Sequence, residues 1–308
     1  VQGYHFAFLV ISLALLGFGC SGTVISLAEN RMRRNTGFLI PFFLLLAAFV
    51  CLAALPASFH MAAQTDMHLV LLDRRALVPL LASGLFAFSP FLAGALVLGL
   101  IFIRDTEFIG RRYGSNLLGS ACGGGLTLLM LMRLRPEEII PLFSCLVSVA
   151  ALISILAWKG RKAAVLCAVS VTMLLAGLLV ALSPPSLPIS PYKPIRYTMQ
   201  LPDTVIVKDE PHPMGRVQVA RSPSLRHAPG LSLTWRGDLP EASRIYINGD
   251  EYGRILSDLG NDRHIYEYSV QALPLEIIAP QRALVLNAGA VSSLEYLLMS
   301  DVSRVDAV

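Results

Sequence analysis

A tight turn near the end of the chain carries the residues whose types and spacing favour nucleotide binding. Residues 283–286 are uniformly apolar and partly β-branched, as in a buried parallel strand. The turn that follows contains Asn287 and Gly289, and the next residues predict a helix through 298. A second strand is predicted from 305. Strand, turn and helix in this order predict the start of a Rossmann-like α/β unit, with Asn287 and Gly289 as cofactor-binding residues.

The two ends of the sequence predict a fragment. The chain starts with Val1 rather than methionine and stops inside the second predicted strand. In a nucleotide-binding unit, the acidic residue that reaches the ribose follows this strand. We therefore expect the sequence to be the N-terminal part of a longer protein.

The composition indicates a membrane protein built from two different parts. Of its 308 residues, 55% are hydrophobic, which is above the usual share in soluble proteins. The apolar excess fills residues 1–183, which carry 13 basic and 7 acidic residues, whereas the rest carries 12 basic and 14 acidic residues. The mildly acidic second part argues against nucleic-acid binding. All five cysteines lie in the first part without C-x-x-C spacing, so no metal site is predicted.

The first part is predicted to cross the membrane six times, because a crossing needs about 20 mostly apolar residues. The fourth stretch is the shortest and the richest in glycine. The lipid bilayer is therefore the expected environment. The six predicted spans are 6–27, 37–58, 77–103, 117–132, 139–158 and 163–182.

Basic residues in the loops predict which ends of the spans face the cytoplasm. The loops after the first, third and fifth spans hold nine basic residues, and the loops after the second and fourth hold four. The first set is therefore predicted to be cytoplasmic, and six crossings place everything after residue 182 outside. No charged residue lies deep in a span, which argues against an ion-coupled transporter. The nine basic residues in the loops after the first, third and fifth spans are Arg31, Arg33, Arg34, Arg104, Arg111, Arg112, Lys159, Arg161 and Lys162.

The second part begins with a proline-rich spacer and then changes to short alternating runs. These runs predict an antiparallel β module, with one strand at 231–235 and a short helix at 265–273. Asn248 and Gly249 between two such runs are a strong hairpin signal. The predicted layout is a transmembrane domain (1–183), a linker (184–196), a β-hairpin module (197–280) and a truncated α/β unit (281–308).

Three segments carry a resemblance to a known family. They are the glycine-containing stretch 11–23, the segment 113–120 and the segment 266–274, which reads YEYSVQALP. Together they resemble the membrane-fused spermidine synthases of bacteria, which are aminopropyltransferases. The resemblance implies a methyltransferase-type fold and transfer of an aminopropyl group from decarboxylated S-adenosylmethionine to a polyamine. It also implies a multi-pass protein of the bacterial inner membrane with a cytoplasmic active site, in conflict with the loop charges.

The resemblance implies substrate-binding roles for three side chains and assigns no catalytic residue. Tyr266 would hydrogen-bond an amine or the cofactor, Asp250 would face a cationic amine, and Glu267 would add negative charge for a polyamine. Each of them also has an ordinary structural interpretation: Tyr266 as a half-buried aromatic that packs on the hairpin, Asp250 as a solvated turn aspartate and Glu267 as a surface helix glutamate. The family's turn consists almost entirely of glycine, and of these glycines this chain has only Gly289. In the 266–274 segment, Glu267 and Ala272 occupy positions where the family has histidines.

Three functions are therefore open. The first is a membrane-anchored aminopropyltransferase that uses decarboxylated S-adenosylmethionine and no metal. The second is a catalytically inactive binding or structural module on a membrane base. The third is a facilitator-type transporter with a regulatory soluble domain. A homo-oligomer is compatible with each of them.

Overall fold

The computed structural model divides into two compact units, Gln2–Ser190 and Pro191–Val308. The first is an α-helical bundle, and the second contains a small antiparallel sheet. The structure describes residues 5–63, 72–158, 160–185, 189–190, 192–213, 215–226, 228, 230–239, 241–256, 263–286, 294, 297, 300 and 302–308.

Local signals set the limits of several helices in the bundle. Asp73 caps the fourth helix by accepting a hydrogen bond from the backbone N–H of Arg75 at 2.8 Å. Glu138 accepts the N–H of Arg135 at 2.7 Å at the start of the sixth helix. The helices are α1 (His5–Leu27), α2 (Glu29–Arg34), α3 (Thr36–Ala63), α4 (Arg74–Arg104), α5 (Ile109–Leu131), α6 (Pro136–Ala157) and α7 (Ala163–Leu182).

Five of these helices, α1, α3, α4, α6 and α7, are long and apolar enough to cross a membrane, among the residues that the structure describes. The predicted fourth span, 117–132, lies on α5. This helix forms, but its glycines, serines and arginines leave it short of the composition of the other five. By length and composition, five of the six predicted spans are therefore candidates, and 117–132 is not among them.

Helix α3 lies beside α4 and runs antiparallel to it. Near the end of α3, the Ser58 hydroxyl donates to the carbonyl oxygen of Ser83, close to the start of α4, at 2.8 Å. Near the start of α3, Ile40 packs against Leu100, which is close to the end of α4. The two helices therefore form a long antiparallel pair.

Helix α3 also runs antiparallel to α6. The Ser144 hydroxyl, in the first half of α6, donates to the carbonyl oxygen of Ala48 at 2.8 Å. The ring of Trp158, directly after α6, lies 5.7 Å from the ring of Phe38, near the start of α3. A short connection, 158–162, then leads into α7, which packs against α6. The start of α3 and the end of α6 therefore share one end of the bundle.

Helices α4 and α6 run in the same direction, because both are antiparallel to α3. The segment that joins them, 105–135, must therefore return along the bundle from one end to the other. Helix α5 provides this return with 23 residues, a length of about 35 Å at 1.5 Å per residue. That length matches the roughly 30 Å hydrocarbon core of a bilayer.

The second unit is built on a four-stranded antiparallel sheet in the order β1-β2-β3-β4. Its core contains Ala220 and Tyr246 from the sheet and Ile195 from the short helix α8 (Pro194–Thr198). The predicted linker, 184–196, therefore overlaps the folded unit. The strands are β1 (Val205–Glu210), β2 (Val217–Arg226), β3 (Glu241–Ile247) and β4 (Asp250–Leu256).

Two secondary-structure predictions in this unit are wrong. Residues 231–235 form turns with a single bridge from Leu231 to Ser269 instead of a strand, and the side chain of Leu233 is 99% exposed. The predicted helix at 265–273 is replaced by a 3₁₀ turn, Arg263–Tyr266, and by α9 (Leu273–Ile278).

The last two described strands, β5 (Arg282–Val285) and β6 (Arg304–Ala307), pair in parallel, with Ala283 opposite Val305. Both strands were predicted from the apolar pattern. Within the described residues the pair is not part of a larger α/β sheet.

Candidate functional site

Asp250 is the first residue of β4 and directly follows a two-residue hairpin turn. The turn residues Asn248 and Gly249 have φ angles of 54° and 82°, the left-handed values that a type I′ turn requires. The Asn248 Oδ1 accepts the backbone N–H of Arg216 at 2.9 Å, and the Asn248 N–H donates to the Arg216 carbonyl at 2.8 Å. The predicted hairpin is observed, and its turn fixes the position of Asp250.

The carboxylate of Asp250 is bound by a lysine of the same chain. Lys193 Nζ lies 2.6 Å from Asp250 Oδ2. The lysine side chain is 8% exposed, whereas that of Asp250 is 57% exposed. A buried ammonium group needs a partner, and Asp250 supplies it at the surface of the unit. The carboxylate that the resemblance assigns to a substrate amine is therefore engaged by an amine of the chain itself.

Lys193 was missed in the sequence because it falls in the predicted proline-rich linker. The available signal is the proline that follows it, because proline favours the first position of a helix. Pro194 indeed begins α8, and the next residue, Ile195, is 1% exposed. The backbone N–H of Ile195 donates to the Gly249 carbonyl at 3.2 Å. This contact holds the start of α8, and with it Lys193, against the β3–β4 turn.

Tyr266 is buried at the end of the 3₁₀ turn, with 7% of its surface exposed. The residues that follow it are held by backbone hydrogen bonds to the 230–232 segment. The Ser232 N–H donates to the Tyr268 carbonyl at 2.7 Å, and the Val270 N–H donates to the Gly230 carbonyl at 3.0 Å. Tyr266 is therefore buried directly before a segment that is hydrogen-bonded to residues 230–232.

Glu267 is exposed beside this contact. The neighbouring ring of Tyr268 meets the ring of Trp235 edge to face, with centroids 5.2 Å apart. Tyr266 and Glu267 thus directly precede the residues that contact the 230–235 segment, whereas Asp250 belongs to the lysine pair on the hairpin. The predicted cofactor-binding residues, Asn287 and Gly289, lie outside the described residues.

Further acidic groups on the sheet are paired within the chain. Arg216 donates hydrogen bonds from Nε and Nη2 to the two carboxylate oxygens of Asp209, at 2.7 and 2.5 Å. Glu251 lies 2.6 Å from Arg254 and 3.4 Å from Arg244. These carboxylates are thus neutralised by arginines on or next to the same sheet. Across the described ranges, His, Cys, Asp and Glu side chains form no group of three or more that could hold a metal ion.

The chain matches no protein-family profile, no curated protein and no solved structure.

Proposed function

We propose that the chain is a multi-pass membrane protein whose second unit, of spermidine synthase-like type, acts as a binding or structural module rather than as an aminopropyltransferase. The observation that carries this proposal is the pair of Lys193 and Asp250, 2.6 Å apart. A transferase of this kind needs free carboxylates to bind a diamine and to deprotonate its nitrogen. Here the candidate carboxylate neutralises a buried lysine instead.

The direction of the helices supports the same proposal. If α5 crosses the bilayer as the return from α4 to α6, the bundle crosses six times. Eight of the nine basic loop residues, all but Lys159, then lie at one end and four at the other. The excess of basic residues assigns the first end to the cytoplasm. Helix α7 ends at the opposite end, so the chain leaves the bacterial inner membrane on the side away from cytosolic cofactors.

A second candidate function is aminopropyl transfer, and the parallel pairing of β5 with β6 favours it. Parallel neighbours need a crossover connection, as in a nucleotide-binding α/β unit. In this reaction a neutral amine nitrogen bonds to the carbon beside the sulfonium, the carbon–sulfur bond breaks and a thioether leaves. The nitrogen's proton passes to a base. Asn287 and Gly289 would bind decarboxylated S-adenosylmethionine, and Tyr266 and Glu267 would contact the polyamine.

Cysteine labelling in intact bacterial cells tests the membrane side. With the five native cysteines replaced, Glu210→Cys reports on the sheet, because Glu210 is 62% exposed. Arg34→Cys reports on the basic end of the bundle. We expect a membrane-impermeant maleimide to label E210C in intact cells and R34C only after permeabilisation. The reverse pattern would place the second unit in the cytoplasm and remove the topological support.

Binding and turnover of the full chain separate the two functions. Purified protein is titrated with decarboxylated S-adenosylmethionine by calorimetry and then incubated with this compound and putrescine. We expect neither binding heat nor spermidine. Spermidine formation that is lost when Glu267 is changed to Gln would establish the transferase and overturn the first proposal.

A further inference from the structure

A cavity of about 760 Å³ lies at the basic end of the bundle, between the connection after α1 and the connection from α6 to α7. Arg31 lines it from α2, and Arg161 and Lys162 line it from the second connection. Phe38 and Trp158 form an aromatic wall between them. The volume is within the range of small-molecule sites, roughly 300–1,000 Å³.

The charge of this cavity is positive and without an internal counter-ion. No acidic side chain lines it. Within the part of the chain that the structure describes, Arg31, Arg161 and Lys162 form no ion pair with a carboxylate, whereas Arg112 at the same end pairs with Asp105 at 2.6 Å. Lys162 Nζ lies 5.4 Å from the centre of the Phe38 ring, a cation–π contact that leaves its donors available. The three cations therefore favour an anionic ligand.

The position of the cavity indicates where that anion comes from. It lies where α3 begins and α6 ends, and both helices are apolar enough to cross a bilayer. The cavity is thus at the height of the lipid headgroups, where tryptophan is enriched and basic pockets between helices bind anionic lipids. Met32 and Leu39 add apolar surface to its lining. A glycerol backbone and the first acyl carbons can contact this surface, which a free phosphate ion cannot use.

We propose that this cavity binds the phosphodiester headgroup of an anionic phospholipid. Arg31 and Arg161 donate paired N–H groups to phosphate oxygens, the geometry that guanidinium favours, and Lys162 adds a point charge. Trp158 and Phe38 contact the glycerol region. The site depends only on the membrane bundle, so it holds whether or not the second unit is an enzyme.

Trp158 provides the readout, because the chain has only two tryptophans. In a Trp235→Phe background, the full chain is reconstituted in phosphatidylcholine vesicles that contain a minor fraction of dibrominated phosphatidylglycerol or dibrominated phosphatidylcholine. Bromine quenches tryptophan at contact, so the ratio of the two quenching levels measures lipid preference at the cavity. We expect the phosphatidylglycerol analogue to quench more strongly.

Two sets of variants locate the preference. Removing Arg31, Arg161 or Lys162 by substitution with Gln should lower it by about fivefold for each charge. Arg31→Lys with Arg161→Lys keeps the charge and should retain most of the preference, which guards against a folding defect. The matched control, Arg33→Gln with Arg34→Gln and Arg111→Gln, removes three charges at the same end outside the cavity and should leave the preference unchanged.

The outcomes that overturn the proposal are distinct. Equal quenching by the two brominated lipids in the parent protein would exclude a headgroup site. If the cavity variants and the matched control lost the lipid preference equally, the preference would come from the general surface charge and not from the cavity. In a separate arm, inorganic phosphate is added to protein in pure phosphatidylcholine at constant ionic strength. A change in Trp158 emission that depends on Arg161, without any lipid preference, would assign the site to a soluble anion instead.

Discussion

The hydroxyl groups of Tyr246 and Thr198 lie 2.6 Å apart in the core of the second unit, where both residues are almost fully buried. The bond joins β3 to the last turn of α8. Removal of one hydroxyl leaves the other without its partner in an apolar environment, which costs about 1–3 kcal/mol.

Tyr246→Phe and Thr198→Val should therefore each lower the free energy of unfolding, and the double variant should lose less than the sum of the two. The measurement is a urea titration of the full chain in detergent, followed by Trp235 fluorescence in a Trp158→Phe background. Strict additivity of the two losses would show that the hydroxyls do not act as a pair.

Asp250→Asn should destabilise the second unit, because it leaves the buried ammonium of Lys193 without its counter-ion. We expect a loss of about 1–2 kcal/mol, since half of the carboxylate is open to screening by solvent. The matched control is Glu210→Gln, whose partner Lys208 lies 3.3 Å away with both side chains exposed. It should change the urea midpoint little. A midpoint for D250N equal to that of E210Q would show that the lysine pair is not structural.

Gly177 on α7 should tolerate no larger side chain, because α6 passes directly against it. A Cβ at this position would lie 2.6 Å from Cys145 Sγ and 3.2 Å from the carbonyl oxygen of Pro141. Gly177→Leu should cost about 1–3 kcal/mol and lower the melting temperature of the detergent-solubilised bundle. Gly94 on α4 is the matched control, since no described atom beyond its chain neighbours and its own helix backbone lies within 4 Å of its Cβ position. Gly94→Leu should leave the melting temperature near that of the parent protein.

Ser144→Ala should have only a small effect, although its hydroxyl is fully buried and bonded to the Ala48 carbonyl. Hydrogen bonds between helices in a membrane contribute about 0.6 kcal/mol on average, because the separated helices also find partners. The expected shift in melting temperature is therefore smaller than that of Gly177→Leu. A shift as large as that of the glycine variant would indicate that this one bond holds α6 to α3.

The sequence predicts the long apolar helices and the hairpin at Asn248 and Gly249, because hydrophobic runs and left-handed turn residues are local signals. The prediction is wrong at Leu231 to Trp235. The alternating pattern indicates a strand there, but no neighbouring strand within the described residues pairs with it through backbone hydrogen bonds. Lys193 falls in the predicted linker, and no local pattern connects it to its partner Asp250, which lies 57 residues away.

Composition and geometry disagree on α5, and the disagreement has a physical basis. Hydropathy averages over the side chains of one segment, and the glycines of α5 lower this average. The direction of a helix is set instead by its neighbours. The parallel course of α4 and α6, which both pack on α3, requires a return segment whatever its composition.

The bond from Ser144 to Ala48 also sets an order of events during synthesis. The two residues are 96 positions apart, and a ribosome adds about 5–20 residues per second. Helix α3 therefore waits roughly 5–20 s in the bilayer before α6 emerges. During that interval α3 can pack against α4 but not yet against α6.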